Sequence, residues 1–177
     1  GISSYEVVHQ IAKQRSSADG RDRRFDVTLL INGLPISQIE LKQVTAKDGI
    51  YQAFNQVKKY AEEGVFRNNI FSTLQLFVVS NEQTTRYFAN ALPKNMHRKL
   101  LFSWRTKNNQ KVENLYEFCK QVLNIPDAHR LIADYTIVSE DQDNKILMVL
   151  HPYQIHAIEA LYVSANKHES GYVWHAT

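Results

Sequence analysis

Asn32-Gly33, set between two runs rich in β-branched and aliphatic residues, constrains this chain more than any other pair of residues. Residues 25–31 (FDVTLLI) and 36–44 (ISQIELKQV) have the composition of strands. Asn-Gly between such runs is a strong hairpin signal, because both residues tolerate the positive φ that a tight turn demands. In the second run side chains alternate, so Ile39 and Leu41 face one way while Gln38, Glu40 and Lys42 face the other. Alone, that pattern describes an ordinary amphipathic strand. Asp26 on the partner run makes the register matter. If paired positions sum to 66, Asp26 stands opposite Glu40 and the carboxylates share a face; if they sum to 65, they point to opposite faces. A two-residue turn gives the second register, and a three-residue loop through Leu34 or a five-residue loop including Pro35 gives the first. Pro35 has no N–H to offer a ladder, which favours the longer loop.

Two carboxylates held side by side repel, and a divalent cation removes that penalty. Mg²⁺ suits such a pair because it prefers hard oxygen ligands and keeps several waters. Asp26 and Glu40, with the Leu41 carbonyl, are therefore the candidate metal ligands. Lys42 is the candidate amine, placed to orient an attacking water or to neutralise charge on a phosphorane-like transition state. A plain salt bridge between Lys42 and the acids is the competing expectation.

The rest of the chain reads as alternating element types. Residues 3–13 are expected to form a strand or a helix at the edge of a larger unit, and 14–24 a polar loop. Residues 49–63 carry Ile50, Phe54, Val57 and Ala61 at helical spacing and stop at Gly64. The apolar run 74–80 suits a central strand covered on both faces, with 86–90 returning beside it. Val112, Leu115, Tyr116, Cys119, Val122 and Leu123 predict a helix with Cys119 on its apolar stripe, a structural thiol and not a nucleophile. A short helix should follow Pro126, then a strand over 145–150, a helix over 151–165 with Pro152 in its first turn, and a strand over 171–176.

With 177 residues, 44% of them hydrophobic, the chain can bury a genuine core. A net charge of +3 leaves any attraction for polyanions to local clusters, and RDRR at 21–24 and KNMHRK at 94–99 are expected to be solvated basic faces. One cysteine excludes an intramolecular disulfide, in keeping with a reducing compartment. No apolar run approaches the roughly 20 residues of a membrane span, and the N-terminus has no secretion-signal pattern, so a cytoplasmic protein is expected. His9, His97, His129, His156 and His168 share no metal-ligand spacing. Glu6 is a further carboxylate from the first element.

The string FDV followed by IELK resembles the PD-(D/E)xK nuclease motif, with Phe25 in the place of the nominal proline. QVKKY matches the Gln-x-x-x-Tyr signature of the RecB-like branch, placing Gln56 and Tyr60 one helical turn apart. The longer string RRFDVTLLINGLPISQIELK, with AFNQVKKY and LFVVSN, is similar to the N-terminal nuclease region of the motor (R) subunit of type I restriction endonucleases. HPYQIHAIEAL resembles the segment preceding the first ATPase motif of superfamily 2 helicases, where Gln154 matches the glutamine that reads adenine and His151 stands where many relatives have arginine. SGYVWHAT looks like the strand leading into a phosphate-binding loop, but the sequence stops before that loop, so this fragment is not expected to hydrolyse ATP.

The resemblance implies an α/β fold, a restriction-endonuclease-like mixed β-sheet core flanked by helices. It implies a nuclease domain over residues 1–144, N-terminally incomplete at Gly1, and the start of a helicase-like ATPase domain over 145–177. The implied activity is Mg²⁺-dependent DNA cleavage, with Asp26, Glu40 and Lys42 catalytic and Gln56 and Tyr60 in support. ATP would serve the full-length parent, whose partners are DNA and the methylase and specificity subunits. Two alternatives stay open: a RecB-like repair or recombination nuclease, and a non-catalytic DNA-binding or docking module of the same fold.

Overall fold

The computed structural model describes residues 2–13, 22–141 and 144–174. Five strands form one mixed sheet in the order β1 (Tyr5–Lys13), β2 (Arg23–Ile31), β3 (Leu34–Leu41), β4 (Leu76–Ser80), β5 (Thr85–Ala89). Only β3 and β4 run parallel; α1 (Gly49–Glu62) supplies the crossover that a parallel pair requires. The fold is mixed α/β with a restriction-endonuclease-like core, as the resemblance implies. Residues 3–13 resolve to an edge strand, and Arg23 and Arg24, expected in a loop, open β2. Of the loop expected over 14–24, residues 14–21, with the Arg21 end of the first basic cluster, lie outside the described residues.

The sheet is covered on both sides. Against one face lies α1, whose Ala53, Phe54, Val57 and Ala61 pack with Phe77, Val79 and Phe88. Against the other, Ile39, Leu76, Val78 and Tyr87 meet Trp104, Phe118, Val122, Leu131 and Ile155 from the C-terminal half. Hence all five residues of β4 are buried, as a central strand's continuous apolar run demands.

The C-terminal half departs from expectation in three places. Val112 belongs to a two-stranded hairpin, β6 (Trp104–Arg105) with β7 (Lys111–Val112), and the helix begins only after Asn114, whose side chain accepts the N–H groups of Tyr116 and Glu117. That helix, α2 (Leu115–Phe118), continues as a π-helical turn over Cys119–Leu123. Its buried stripe runs through Phe118 and Val122, leaving Tyr116 exposed. After α3 (Asp127–Ala133), β8 (Thr136–Asp141) pairs with β9 (Asn144–Val149), so the expected strand near 145–150 has a partner that its sequence did not announce. α4 (Pro152–Asn166) forms as expected. The strand expected over 171–176 is not formed at 171–174: Tyr172 and Trp174 stand exposed with no ladder neighbour among the described residues, and 175–177 lie outside them. Among the described residues no helix is long and apolar enough to cross a membrane.

The hairpin resolves the register in a way that loop length alone does not predict. The turn is the two-residue Asn32-Gly33, with φ of 52° and 76°, a loop length that by itself gives the register of 65. Next to the turn the pairs are Ile31↔Leu34 and Leu30↔Pro35, summing to 65; from Leu29↔Ser37 through Val27↔Ile39 they sum to 66. A β-bulge at Ile36 makes the change, adding one residue to β3. Pro35 sits beside it, in the kind of irregular position that tolerates a missing N–H. The bulged backbone is held from the other side, where Ile36 C=O accepts Gln75 N–H at 2.9 Å and Pro35 C=O accepts the Thr73 hydroxyl at 2.7 Å.

Gly33 has open space where a Cβ would point, so Gly33→Ala tests the turn's backbone conformation without a clash. An alanine at this left-handed φ should cost about 1 kcal/mol, a drop in melting temperature of about 2–4 °C, by differential scanning calorimetry. An unchanged melting temperature would show that the turn does not depend on this conformation.

Candidate active site

The β2–β3 ladder ends at Val27↔Ile39, and beyond it Asp26 takes over from the backbone: its Oδ2 accepts the Leu41 N–H at 2.8 Å. β1 is irregular at the same level. Its pairing skips Gln10, whose φ is 55°, between His9↔Val27 and Ile11↔Phe25. Strict alternation would send the neighbours Phe25 and Asp26 to opposite sides. Instead Phe25 packs among Tyr60, Phe66 and Phe71, with ring centroids 4.9–5.8 Å away, while Asp26 turns to the end of β3. The irregularity on both flanks is what lets one strand serve core and site together.

Glu40 lies at the centre of the group and is fully buried. Burial, reinforced by the Asp26 carboxylate beside it, pushes its pKa up to about 8, against the pull of Lys42 and Gln38. Each of its oxygens has a carboxamide donor. Gln38 Nε2 approaches Oε1 at 3.3 Å, and Gln56 Nε2 donates to Oε2 at 2.8 Å. Gln38 is fixed in turn by the Thr28 hydroxyl, 2.6 Å from its Oε1. Gln56 Nε2 also donates to the Tyr60 hydroxyl at 2.6 Å, and Gln56 Oε1 accepts Lys42 Nζ. Lys42 therefore meets Glu40 through Gln56, and its hydrogen bond goes to that amide and not to a carboxylate as the plain salt bridge supposes. Burial and the nearby Glu40 raise the Tyr60 phenol, keeping it neutral.

The structure thus brings Asp26, Glu40, Lys42, Gln56 and Tyr60 into one cluster. Thr28 and Gln38 complete it. The alternation of β3 had put Gln38 on the Glu40 side, but only the 66 register puts Thr28 across from it. Gly49 is the other residue that sequence reasoning passed over: a Cβ there would stand 3.3 Å from that of Lys42, tighter than an ordinary contact, so glycine eases the approach of α1 to the lysine. Arg23 lies over the Tyr60 ring at 5.3 Å and is ion-paired with Glu63, so this part of the first basic cluster is no solvated face. In the second cluster Arg98 stacks on Tyr51 at 4.2 Å and Met96 is buried.

Other candidates stay apart. Glu6 is exposed and pairs with Leu30, toward the turn and away from Asp26, and His9 is exposed opposite Val27. Gln154 lies on α4, where its Oε1 accepts the His151 N–H at 2.8 Å and closes the first turn. Burial raises the Cys119 thiol pKa, which disfavours the nucleophilic thiolate.

Among the described residues no three His, Cys, Asp or Glu side chains gather as a metal cage. Two adjacent carboxylates still fit Mg²⁺, which commonly binds through one or two carboxylates and waters. The Leu41 carbonyl adds an oxygen on the same side, since N–H and C=O of an extended residue point the same way and its N–H meets Asp26. Burial first, and then the Asp26 carboxylate, raise the Glu40 pKa, and a cation between the two acids would relieve both.

Residues 2–96, which contain every member of this cluster, match the family described as Type I restriction enzyme R protein N terminus. Similar proteins include the endonuclease subunits of type I restriction enzymes SsaAORF53P of Staphylococcus saprophyticus and SauCOLORF180P of Staphylococcus aureus, 40% and 37% identical over 95% of this chain. The chain spans 17% of the length of each. The EcoprrI endonuclease subunit of Escherichia coli is 35% identical over 86% of the chain and 48% of its own length. On this match, carried across the sheet, α1 and the carboxylate cluster, the chain belongs to the family of type I restriction enzyme R protein N termini.

Proposed function

We propose that this chain carries a PD-(D/E)xK nuclease site of the RecB-like branch that hydrolyses DNA phosphodiesters with Mg²⁺, as the cutting part of a type I restriction enzyme. The observation that carries this proposal is the meeting of Asp26 and Glu40 at the end of β3, with Lys42 held beside them by Gln56. Asp26, Glu40 and the Leu41 carbonyl would hold the ion. When bound, Mg²⁺ supplies Lewis acidity toward the phosphate and its attacking water.

The chain's own groups do the rest. Lys42 places a positive charge where the pentacovalent phosphorus gathers negative charge, and preorganised charge of this kind is worth most in a partly dry site. Gln56 fixes the spacing between that amine and Glu40, one end of its amide on each. Tyr60 holds Gln56 by its hydroxyl and, packed on Phe25, fixes the helix face from which Gln56 projects. No recognition helix or zinc-finger spacing is present in the sequence, which agrees with cutting wherever partners deliver the DNA. In the parent protein, residues 145–177 would lead from the nuclease domain of 1–144 into an ATP-driven motor, with Gln154 toward adenine. Methylase and specificity subunits would supply sequence recognition, in the cytoplasm.

Asp26→Ala and Lys42→Ala, introduced into the full-length subunit and assembled with its partners, should each lower DNA cleavage by at least about a hundredfold while ATP hydrolysis and assembly persist. Cleavage at the normal rate by either variant would leave the site a docking or binding surface.

The shift of Glu40 from 4.5 to about 8 charges the ionised folded state on the order of a few kcal/mol. Because the folded pKa is raised, this contribution to stability is complete below about 4.5 and is lost as pH climbs toward about 8. In chelator, the melting temperature of Glu40→Gln relative to the unsubstituted protein should therefore rise between pH 5 and pH 8, and Mg²⁺ should narrow that gap at pH 8. A gap independent of pH would mean that Glu40 does not titrate in this window.

A further inference from the structure

Thr28 and Gln38 are fully buried polar residues set directly across from each other in β2 and β3, on the side of the sheet that α1 covers with aliphatic and aromatic side chains. An apolar cross-strand pair would fill that place without the desolvation that an amide and a hydroxyl bring. Their hydrogen bonds lead in one direction. The Thr28 hydroxyl donates to Gln38 Oε1 at 2.6 Å, which leaves Gln38 Nε2 facing Glu40 Oε1 at 3.3 Å and the Ile39 carbonyl at 3.3 Å. Glu40 is thus the acceptor among side chains for Gln38, and Thr28 sets which end of the amide it meets.

We propose that Thr28 and Gln38 are a positioning pair for Glu40, holding its carboxylate from the adjacent place on the same face of the sheet in the orientation that captures a divalent cation together with Asp26. This rests on the metal-dependent nuclease function proposed above and adds to it two residues outside the PD-(D/E)xK and Gln-x-x-x-Tyr patterns. Glu40 has three side-chain torsions, and one donor on each oxygen, from Gln38 in β3 and Gln56 in α1, fixes the plane of the carboxylate. Gln56 alone holds one oxygen and leaves rotation about it. Partners that orient a metal ligand in this way commonly account for tenfold to a hundredfold in metal affinity.

The test uses the full-length subunit and Mn²⁺ as a paramagnetic probe, with free ion counted by electron paramagnetic resonance in the absence of DNA. Gln38→Met keeps the side chain's length and removes its hydrogen bonds. It should weaken Mn²⁺ binding about tenfold or more, and raise by a similar factor the Mg²⁺ concentration giving half-maximal cleavage by the assembled enzyme, with KM for DNA unchanged. Thr28→Val, which keeps the shape and removes the hydroxyl, should weaken binding several-fold, and Thr28→Ser, which loses only the methyl, should bind as the parent does. In the Gln38→Met background Thr28→Val should add no further loss, because its effect passes through Gln38. The proposal is overturned if Gln38→Met binds Mn²⁺ like the parent, or if Thr28→Ser is impaired and Thr28→Val is not, the pattern of a packing role. Should Gln38→Met not fold, the Thr28 pair still decides. Asp26→Ala separates the two levels: loss of cleavage there beside normal Mn²⁺ binding by Gln38→Met removes this proposal alone, whereas cleavage retained by Asp26→Ala removes the nuclease function itself.

Discussion

One extra residue in β3 decides what this molecule can be. Without the bulge at Ile36, the Asn32-Gly33 turn would carry its register of 65 through the hairpin, and Asp26 would face away from Glu40. The bulge costs one irregular position, fixed by Gln75 and Thr73 from the segment entering β4. From it follow the Thr28–Gln38 pairing and the approach of Asp26 to the end of β3. The site is therefore set by a backbone defect some distance from the chemistry, and the surrounding sheet holds that defect in place. Bulges re-aim side chains near active sites in this manner.

The electrostatics of the cluster follow from burial. Water would screen the repulsion between two adjacent carboxylates, but Glu40 has no exposed surface, so its ionised form must be supported by protein dipoles or by a cation. Carboxamides supply the dipoles. Amide donors support a carboxylate without adding formal charge, and Gln56 turns its opposite end to Lys42, so the amine approaches the acids without forming a contact pair with them. Interposing Gln56 keeps the amine and the carboxylate apart as two separate charges.

Elements whose identity is local were legible in the sequence: the Asn-Gly turn, the amphipathic α1, the wholly buried β4, and α4 with Pro152 in its first turn. The pairing of Asp26 with Glu40 was legible only as one of two registers, because the bulge that chooses between them depends on contacts with residues 73 and 75, more than thirty positions away. β8 was missed since TIVSED alternates only weakly and becomes a strand by pairing with β9. Val112 fitted a helical stripe by spacing, yet it pairs with Trp104, and Asn114 starts the helix two residues later with its side chain as cap. Residues 171–174 have strand composition and no neighbour among the described residues to pair with, which is what composition alone cannot supply.

α1 ties core and site into one rigid unit. Its buried face, Ala53, Phe54, Val57 and Ala61, docks on the sheet, while Gln56 reaches the Glu40 carboxylate and Tyr60, one turn on, holds Gln56. Both ends are fixed by glycine for different physical reasons. Gly49 lets the first turn come within van der Waals reach of Lys42, and Gly64, at a φ of 71°, ends the helix with Val65 N–H on the Tyr60 carbonyl and Gly64 N–H on that of Ala61, a Schellman arrangement. Tyr60 therefore accepts hydrogen bonds at both its hydroxyl and its carbonyl, one from the site and one from the helix terminus. Any movement of α1 along its axis would strain the capped end and the Lys42 contact together, so the spacing between amine and carboxylate is inherited from the packing of the helix.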